Sequence, residues 1–241
     1  GAGNQPVVTF RILAAGTPVT LICNASSSTT ANTLLTGFSG SPSFLVAYAD
    51  GTDTTVDYNN KGKSAAQPAS VSIANVCNAS QGSMTGPDGS DYYTATVTGT
   101  AGAALFPVSS TLRAVALQGY FTQLAGTNGI AAQTARHTIS VVKAVTGDPV
   151  RREVVDSAKC ANCHEWFEGH GGNRVYTVGV CVVCHNPNLT SSGRGADPAT
   201  VLARMSAADQ AALTANGYNP ADPLTFPEAT NSFKNMIHGI H

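Results

Sequence analysis

Glutamate and histidine are missing from the first 136 residues of this chain, and charge of either sign is scarce throughout. Charged side chains make up 11% of 241 residues, well under the ~25% of an ordinary soluble domain. With 13 Lys and Arg against 14 Asp and Glu, there is no cationic excess to neutralise phosphates, so DNA and RNA are excluded as partners. Such low charge also excludes a highly charged disordered polymer. No run approaches the ~18 to 20 consecutive apolar residues that span a bilayer. The N-terminal GAGNQP lacks the basic and apolar regions of a signal peptide, so a processed chain without a membrane span is expected. Hydrophobic residues reach 42%, enough for a core, and the length suits one large domain or two small ones.

What is present divides the chain. Apolar and β-branched runs recur at 7–13, 19–23, 43–48, 70–76, 92–98, 111–117 and 137–145. Clusters such as SGSPS, DGTD, GPDGSD and GTNG separate them. This pattern predicts a mainly β N-terminal domain over residues 1–148, a Greek-key split barrel or a sandwich. It serves docking or assembly, since no nucleophile and base constellation is found in it. Cys23 and Cys77 each end a predicted strand and are each followed by Asn-Ala-Ser. In an oxidising compartment they are expected to form a disulfide worth roughly 3 to 4 kcal/mol by loop entropy.

Beyond Asp148-Pro149 the texture changes. All four Glu, five of the six His and four of the six Cys lie there. A small, mostly irregular or α domain is expected over residues 149–241. It should hold an amphipathic helix from Asp197-Pro198 to a stop at Gly217 and a last helix from Ser232 to the end.

Two sequences carry the chemistry: Cys160-Ala161-Asn162-Cys163-His164 and Cys181-Val182-Val183-Cys184-His185. Each is a CxxCH, the c-type haem attachment pattern, in which two thiols join the two vinyl groups on one porphyrin edge and the adjacent His ligates iron. The expected cofactor is haem c, two per chain, with His164 and His185 as proximal ligands. The rival is a four-cysteine zinc site, whose ligand spacing these cysteines also satisfy. A zinc ribbon needs no His behind either pair, and with only six His in the chain finding one behind both favours haem.

A second axial ligand must come from elsewhere. His170 lies between glycines in Gly169-His170-Gly171-Gly172, where the backbone can approach a macrocycle closely. His238 and His241 are i and i+3 on the last helix. His137, in a predicted strand, ranks last, and Met236 could supply a thioether instead. Ligand counting suggests that His170 and His238 serve the chain's own irons while His241 reaches a haem of a neighbouring subunit. Bis-His irons are saturated, which makes the chain an electron carrier and not an enzyme. Arg174 above all, then Arg151, Arg152 and Arg194, are propionate candidates, and Trp166, Phe167 and Tyr176 are expected to pack on porphyrin faces.

The runs RREVVDSAKCANCHEWFEGHGGNR, CVVCHNPN and FKNMIHGIH resemble, in that order, the outer-membrane multihaem c-type cytochromes of the OmcA/MtrC family. The resemblance implies that His170, His238 and His241 are distal haem ligands and that a Greek-key split barrel precedes the first haem sites. For residues 1–150 it is one of architecture only. Family members carry about ten haems, whereas this chain has two CxxCH motifs. It is therefore either a piece of a longer protein or a short relative whose electrons pass to haems on other molecules, copies of itself included. The resulting expectation is a secreted, extracellular or outer-surface electron carrier, with the periplasm as another location. Its partners would be other haem proteins or an extracellular metal oxide acceptor. The alternatives are a multihaem reductase with an open iron site and a zinc-stabilised surface adhesion module.

Overall fold

The computed structural model describes residues 5–23, 34–50, 57–58, 60, 67–153, 155–187, 202–203, 205–222 and 231–241. Its N-terminal region is mainly β, with every strand pair antiparallel. The largest sheet has four strands in the order Val141–Ala144, Ser110–Gln118, Ser43–Asp50, Ala69–Ser72. A three-stranded sheet of Val7–Phe10, Tyr93–Val97 and Gly82–Thr85 faces it. A second one joins Thr134–Arg136, Phe121–Gln123 and Phe38–Ser39. Among the described residues the sheets do not close into one barrel.

Ser43–Asp50 organises the rest, because its side chains alternate in size as well as in direction. Phe44 enters the core between the facing sheets, against Phe10, Val71, Ile73 and Tyr93. Leu45, Ala47 and Ala49 point to the opposite face, where Ala114 and Ala116 of the neighbouring strand join them. Short side chains let a helix approach a sheet closely. The helix that occupies this face is α3, Val178–Cys184, which follows α1 (Ile73–Cys77) and α2 (Ser157–Ala161) in the chain. Val180 and Val183 of α3 are fully buried there. The second CxxCH is thus anchored on the back of the central sheet.

Strands 43–48, 92–98 and 111–117 stand close to their expected bounds. Three other runs depart from expectation. Among the described residues, 19–23 pair with no strand: the Leu21 amide donates to the Tyr93 hydroxyl at 2.8 Å and the Ile22 amide to the Leu34 carbonyl at 2.8 Å, which takes their donors away from a ladder. The run 70–76 splits at Ser72, whose hydroxyl accepts from the Asn75 amide at 3.1 Å and starts α1. The run 137–145 becomes a strand only at Val141. Cys77, the last residue of α1, is bonded to Cys23 in a disulfide across a separation of 54 residues.

Helix α4, Ala207–Ala215, begins at Ser206 with a capping box, the Ser206 hydroxyl accepting from the Asp209 amide and the Asp209 carboxylate from the Ser206 amide. Its expected start at Asp197-Pro198 lies outside the described residues. Gly217, in the left-handed region, follows its end. Helix α5 spans Phe233–Ile240 behind Ser232, as expected.

Two stability measurements test this packing. Replacing Cys23 and Cys77 by Ser is expected to lower the unfolding free energy by about 4 kcal/mol, read from urea denaturation. Ala47→Leu, which adds three heavy atoms of side chain toward α3, is expected to cost about 1 to 3 kcal/mol; an unchanged midpoint would mean that the alanine face does not set the seat of the helix.

Candidate haem-binding site

Each CxxCH begins on a short helix, so that its two thiols, three residues apart, emerge on one side. Asp156 caps α2 by accepting from the Ala158 amide at 2.9 Å, and the turn continues through a 2.9 Å bond from the His164 amide to the Cys160 carbonyl. Helix α3 presents Val180 and Val183 to the sheet and Val178 and Val182 to Phe233 of α5. Cys181 and Cys184 lie between these two apolar flanks. A 2.9 Å bond from the Phe233 amide to the His185 carbonyl ties α5 to the end of α3. The last piece is a hairpin of Glu168–Gly169 with Arg174–Val175, whose turn holds His170, Gly171 and Gly172, all with positive φ.

These pieces enclose one cavity of about 610 Å³, inside the ~300 to 1,000 Å³ range of ligand sites. All four motif cysteines line it, with His164, His170, His185, His241 and Arg174. Val155, Phe167, Val180, Phe233, Met236 and Ile237 supply apolar walls. The imidazoles stand in two opposed pairs: His164 and His241 have ring centres 6.0 Å apart, and His170 and His185 have theirs 5.9 Å apart. A metal held by an imidazole nitrogen on each side at roughly 2 Å puts ring centres about 6 Å apart. Among the described residues no three His, Cys, Asp or Glu side chains converge on a single metal position.

The electrostatics suit neutral ligands. Burial, and then the positive charge of Arg174, hold the His170 and His185 imidazoles below the usual histidine range. Burial pushes the Cys181 thiol up to about 11 and the Cys184 thiol in the same direction, against the pull of Arg174. Arg174 is therefore the cation that acts on all four of these groups.

Several expected site residues are placed differently. His238 is exposed on α5 and does not line the cavity, whereas His241 does. Of the two histidines of the last helix, the one brought to the cavity is thus His241, the one that ligand counting had assigned to a neighbouring subunit. The cause is local: the helix ends at Ile240, and the His241 ring turns back until its Nδ1 is 3.1 Å from the Ile237 carbonyl. His137 stands outside the cavity, with Nδ1 3.1 Å from the Gly172 carbonyl and its ring 4.7 Å from that of Tyr120. Arg151 and Arg152 are engaged by Asp57, a buried carboxylate. Arg194 lies outside the described residues. Of the aromatic candidates, Phe167 lines the cavity and stacks on Tyr176 at 4.8 Å, while Trp166 is half exposed and bonds Glu168. Ser140, which no sequence pattern marks, bonds Val175 and Thr177 and so fastens the hairpin to the β region.

Residues 152–241 match the family model of outer membrane cytochromes, MtrC/MtrF-like, domains II/IV. The resemblance read from the motifs thus holds over the segment that carries both CxxCH sequences. The family is one of cell-surface haem proteins of electron transfer. The β-rich region lies outside the matched residues. No curated protein matches the chain. Among the described residues no helix is long and apolar enough to cross a membrane.

Asp57→Asn tests the ion pairs that engage Arg151 and Arg152. It leaves a buried guanidinium without its counter-charge and is expected to cost about 3 to 5 kcal/mol in chemical denaturation.

Proposed function

We propose that this chain is an electron carrier that holds two c-type haems covalently, each between two histidines. The observation that carries the reading is the pair of opposed imidazoles beside each CxxCH within one apolar cavity. Cys160 and Cys163 would hold one group, with His164 and His241 to ligate its iron. Cys181 and Cys184 would hold the other, with His185 and His170. When bound, each haem supplies a one-electron iron couple. The chain's own side chains do the remainder. The cysteines fix the porphyrin edges as thioethers, each S–H adding across a vinyl double bond. The apolar walls exclude water, and Arg174 supplies a counter-charge for propionates. Met236 lines the cavity, but with a second imidazole already facing each proximal one no thioether ligand is required.

With two imidazoles available to each group, neither iron would offer a site to a substrate, which favours a carrier over a reductase. The two pairs differ in depth. His164 and His241 are exposed, whereas His185 is half buried and His170 alone of its pair reaches the surface. Electrons enter and leave through the His164/His241 centre in this reading, and the deeper centre is a relay. Partners are then other haem proteins, copies of the same chain stacked into larger haem chains, or an extracellular metal oxide acceptor, at the outer cell surface. The β-rich region of residues 1–148 docks or assembles the haem region of residues 149–241.

A pyridine haemochrome assay should give two haems per chain, with low-spin spectra and no carbon monoxide binding on reduction. His170→Ala and His241→Ala should each open one iron to carbon monoxide, and His238→Ala neither. A colourless protein holding zinc would support the adhesion module instead. Carbon monoxide binding by the unaltered protein would support the reductase.

A further inference from the structure

We infer that His137 is a positioning residue for the His170 imidazole, acting from the β-rich region through the backbone of the Gly171-Gly172 turn; this rests on the reading of His170 as an axial ligand. The turn needs outside support. His170, Gly171 and Gly172 have φ values of +57°, +65° and +83°, three consecutive residues in the left-handed region. The hairpin that carries them is only two residue pairs long. Backbone in such a conformation persists when its surroundings over-determine it.

The surroundings do so from the β side. The His137 Nδ1–H donates to the Gly172 carbonyl at 3.1 Å, and the back of its ring rests on Tyr120. Both the neutral Nδ1–H tautomer and the imidazolium supply that donor. The turn sits directly on the ring: a Cβ at Gly172 would stand 2.0 Å from His137 Cε1 and 2.3 Å from Nδ1. The glycine is needed both for its positive φ and for this approach. Next to it, the Gly119 amide donates to the Asn173 carbonyl at 2.9 Å, and Asn173 Nδ2 donates to the His170 carbonyl at 3.0 Å. The peptide planes on both sides of the turn are therefore fixed, and with them the direction in which the His170 side chain leaves the backbone toward His185.

A contact that orients a ligand without touching the metal is typically worth about 10- to 100-fold in ligation. Four variants of the holoprotein test the inference. His137→Phe keeps the packing on Tyr120 and loses the donor. His137→Asn keeps a donor near the position of Nδ1. Gly172→Ala drives a methyl group into the ring while His137 is intact, and His170→Ala removes the ligand itself. The readouts are carbon monoxide affinity of the reduced protein and the low-temperature electron paramagnetic resonance of the oxidised protein, which resolves the two centres.

His137→Phe and Gly172→Ala are expected to weaken His170 ligation about 10- to 100-fold, read as carbon monoxide binding, absent in the unaltered protein, that appears at the centre that His170→Ala opens and not at the other. His137→Asn should restore most of the loss. The inference is overturned if His137→Phe leaves the His170 centre unchanged, or if both centres loosen together, which is what general loss of packing would do. If His170→Ala opens neither iron, the axial assignment itself falls and this inference with it. If His170→Ala opens one iron and His137→Phe does not, only the positioning role is lost.

Discussion

The seat of α3 on the alanine face of the central sheet is the constraint on which the rest of the molecule depends. Leu45, Ala47, Ala49, Ala114 and Ala116 form a surface with little side-chain relief, and Val180 and Val183 press into it without a trace of exposure. That contact fixes Cys181, Cys184 and His185 relative to a rigid antiparallel sheet. The other pieces are then referred to α3. Phe233 brings α5 against Val178 and Val182, α5 brings His241 to His164, and Ser140 brings the His170 hairpin alongside. A haem region with short helices and two-residue strands has little regular structure of its own. Its geometry is borrowed from the β region, which explains why the largest sheet is buried on both faces at residues 44–49.

The scarcity of charge acquires a meaning at the cavity. Removing an ionised group from water is costly unless it is paired. The described cations near the junction are accordingly occupied, Arg151 and Arg152 by Asp57 and Arg113 by Asp148. Arg174 is the one left acting on the inner imidazoles and thiols. With burial it keeps His170 and His185 neutral, the form in which imidazole binds a metal. Their lowered values also set the sign of the pH response of the polypeptide. The unfolded chain takes up these protons first as pH falls below about 6.5, so this contribution to stability is present at neutral pH and is lost as pH falls through the lower folded values.

Much of this was legible in the sequence, for reasons that differ between elements. The CxxCH spacing encodes a covalent geometry that holds in any fold, so the four cysteines and the histidine behind each pair could be singled out from spacing alone, and the structure brings all six to one cavity. Strands 43–48, 92–98 and 111–117 could be read because they are bounded by turn residues and pair over most of their length. Residues 70–76 could not, since an apolar run of that length suits strand and helix equally and Ser72 decides by capping. The helix positions of His238 and His241 predicted a shared face. The end of α5 at Ile240 broke that rule, because a residue at a helix terminus no longer follows the helical phase. His137 was visible only as one more imidazole, since a contact to a carbonyl 35 residues away leaves no local pattern.

The hairpin turn and the last helix bring their histidines to the cavity by opposite physical means. His241 is delivered by a continuous helix whose apolar side, Phe233, Met236 and Ile237, packs against α2 and α3, so its position is held by burial spread over several residues. His170 is delivered by three left-handed residues fastened by a few hydrogen bonds to Gly119, His137 and Ser140. Burial is non-directional and tolerates small shifts, whereas hydrogen bonds fix orientation over tenths of an ångström. The His170/His185 pair is therefore held by directed contacts and the His164/His241 pair by diffuse ones. If the chain carries electrons as proposed, that division suits a relay whose outer site must meet partners and whose inner site need only receive and pass on an electron.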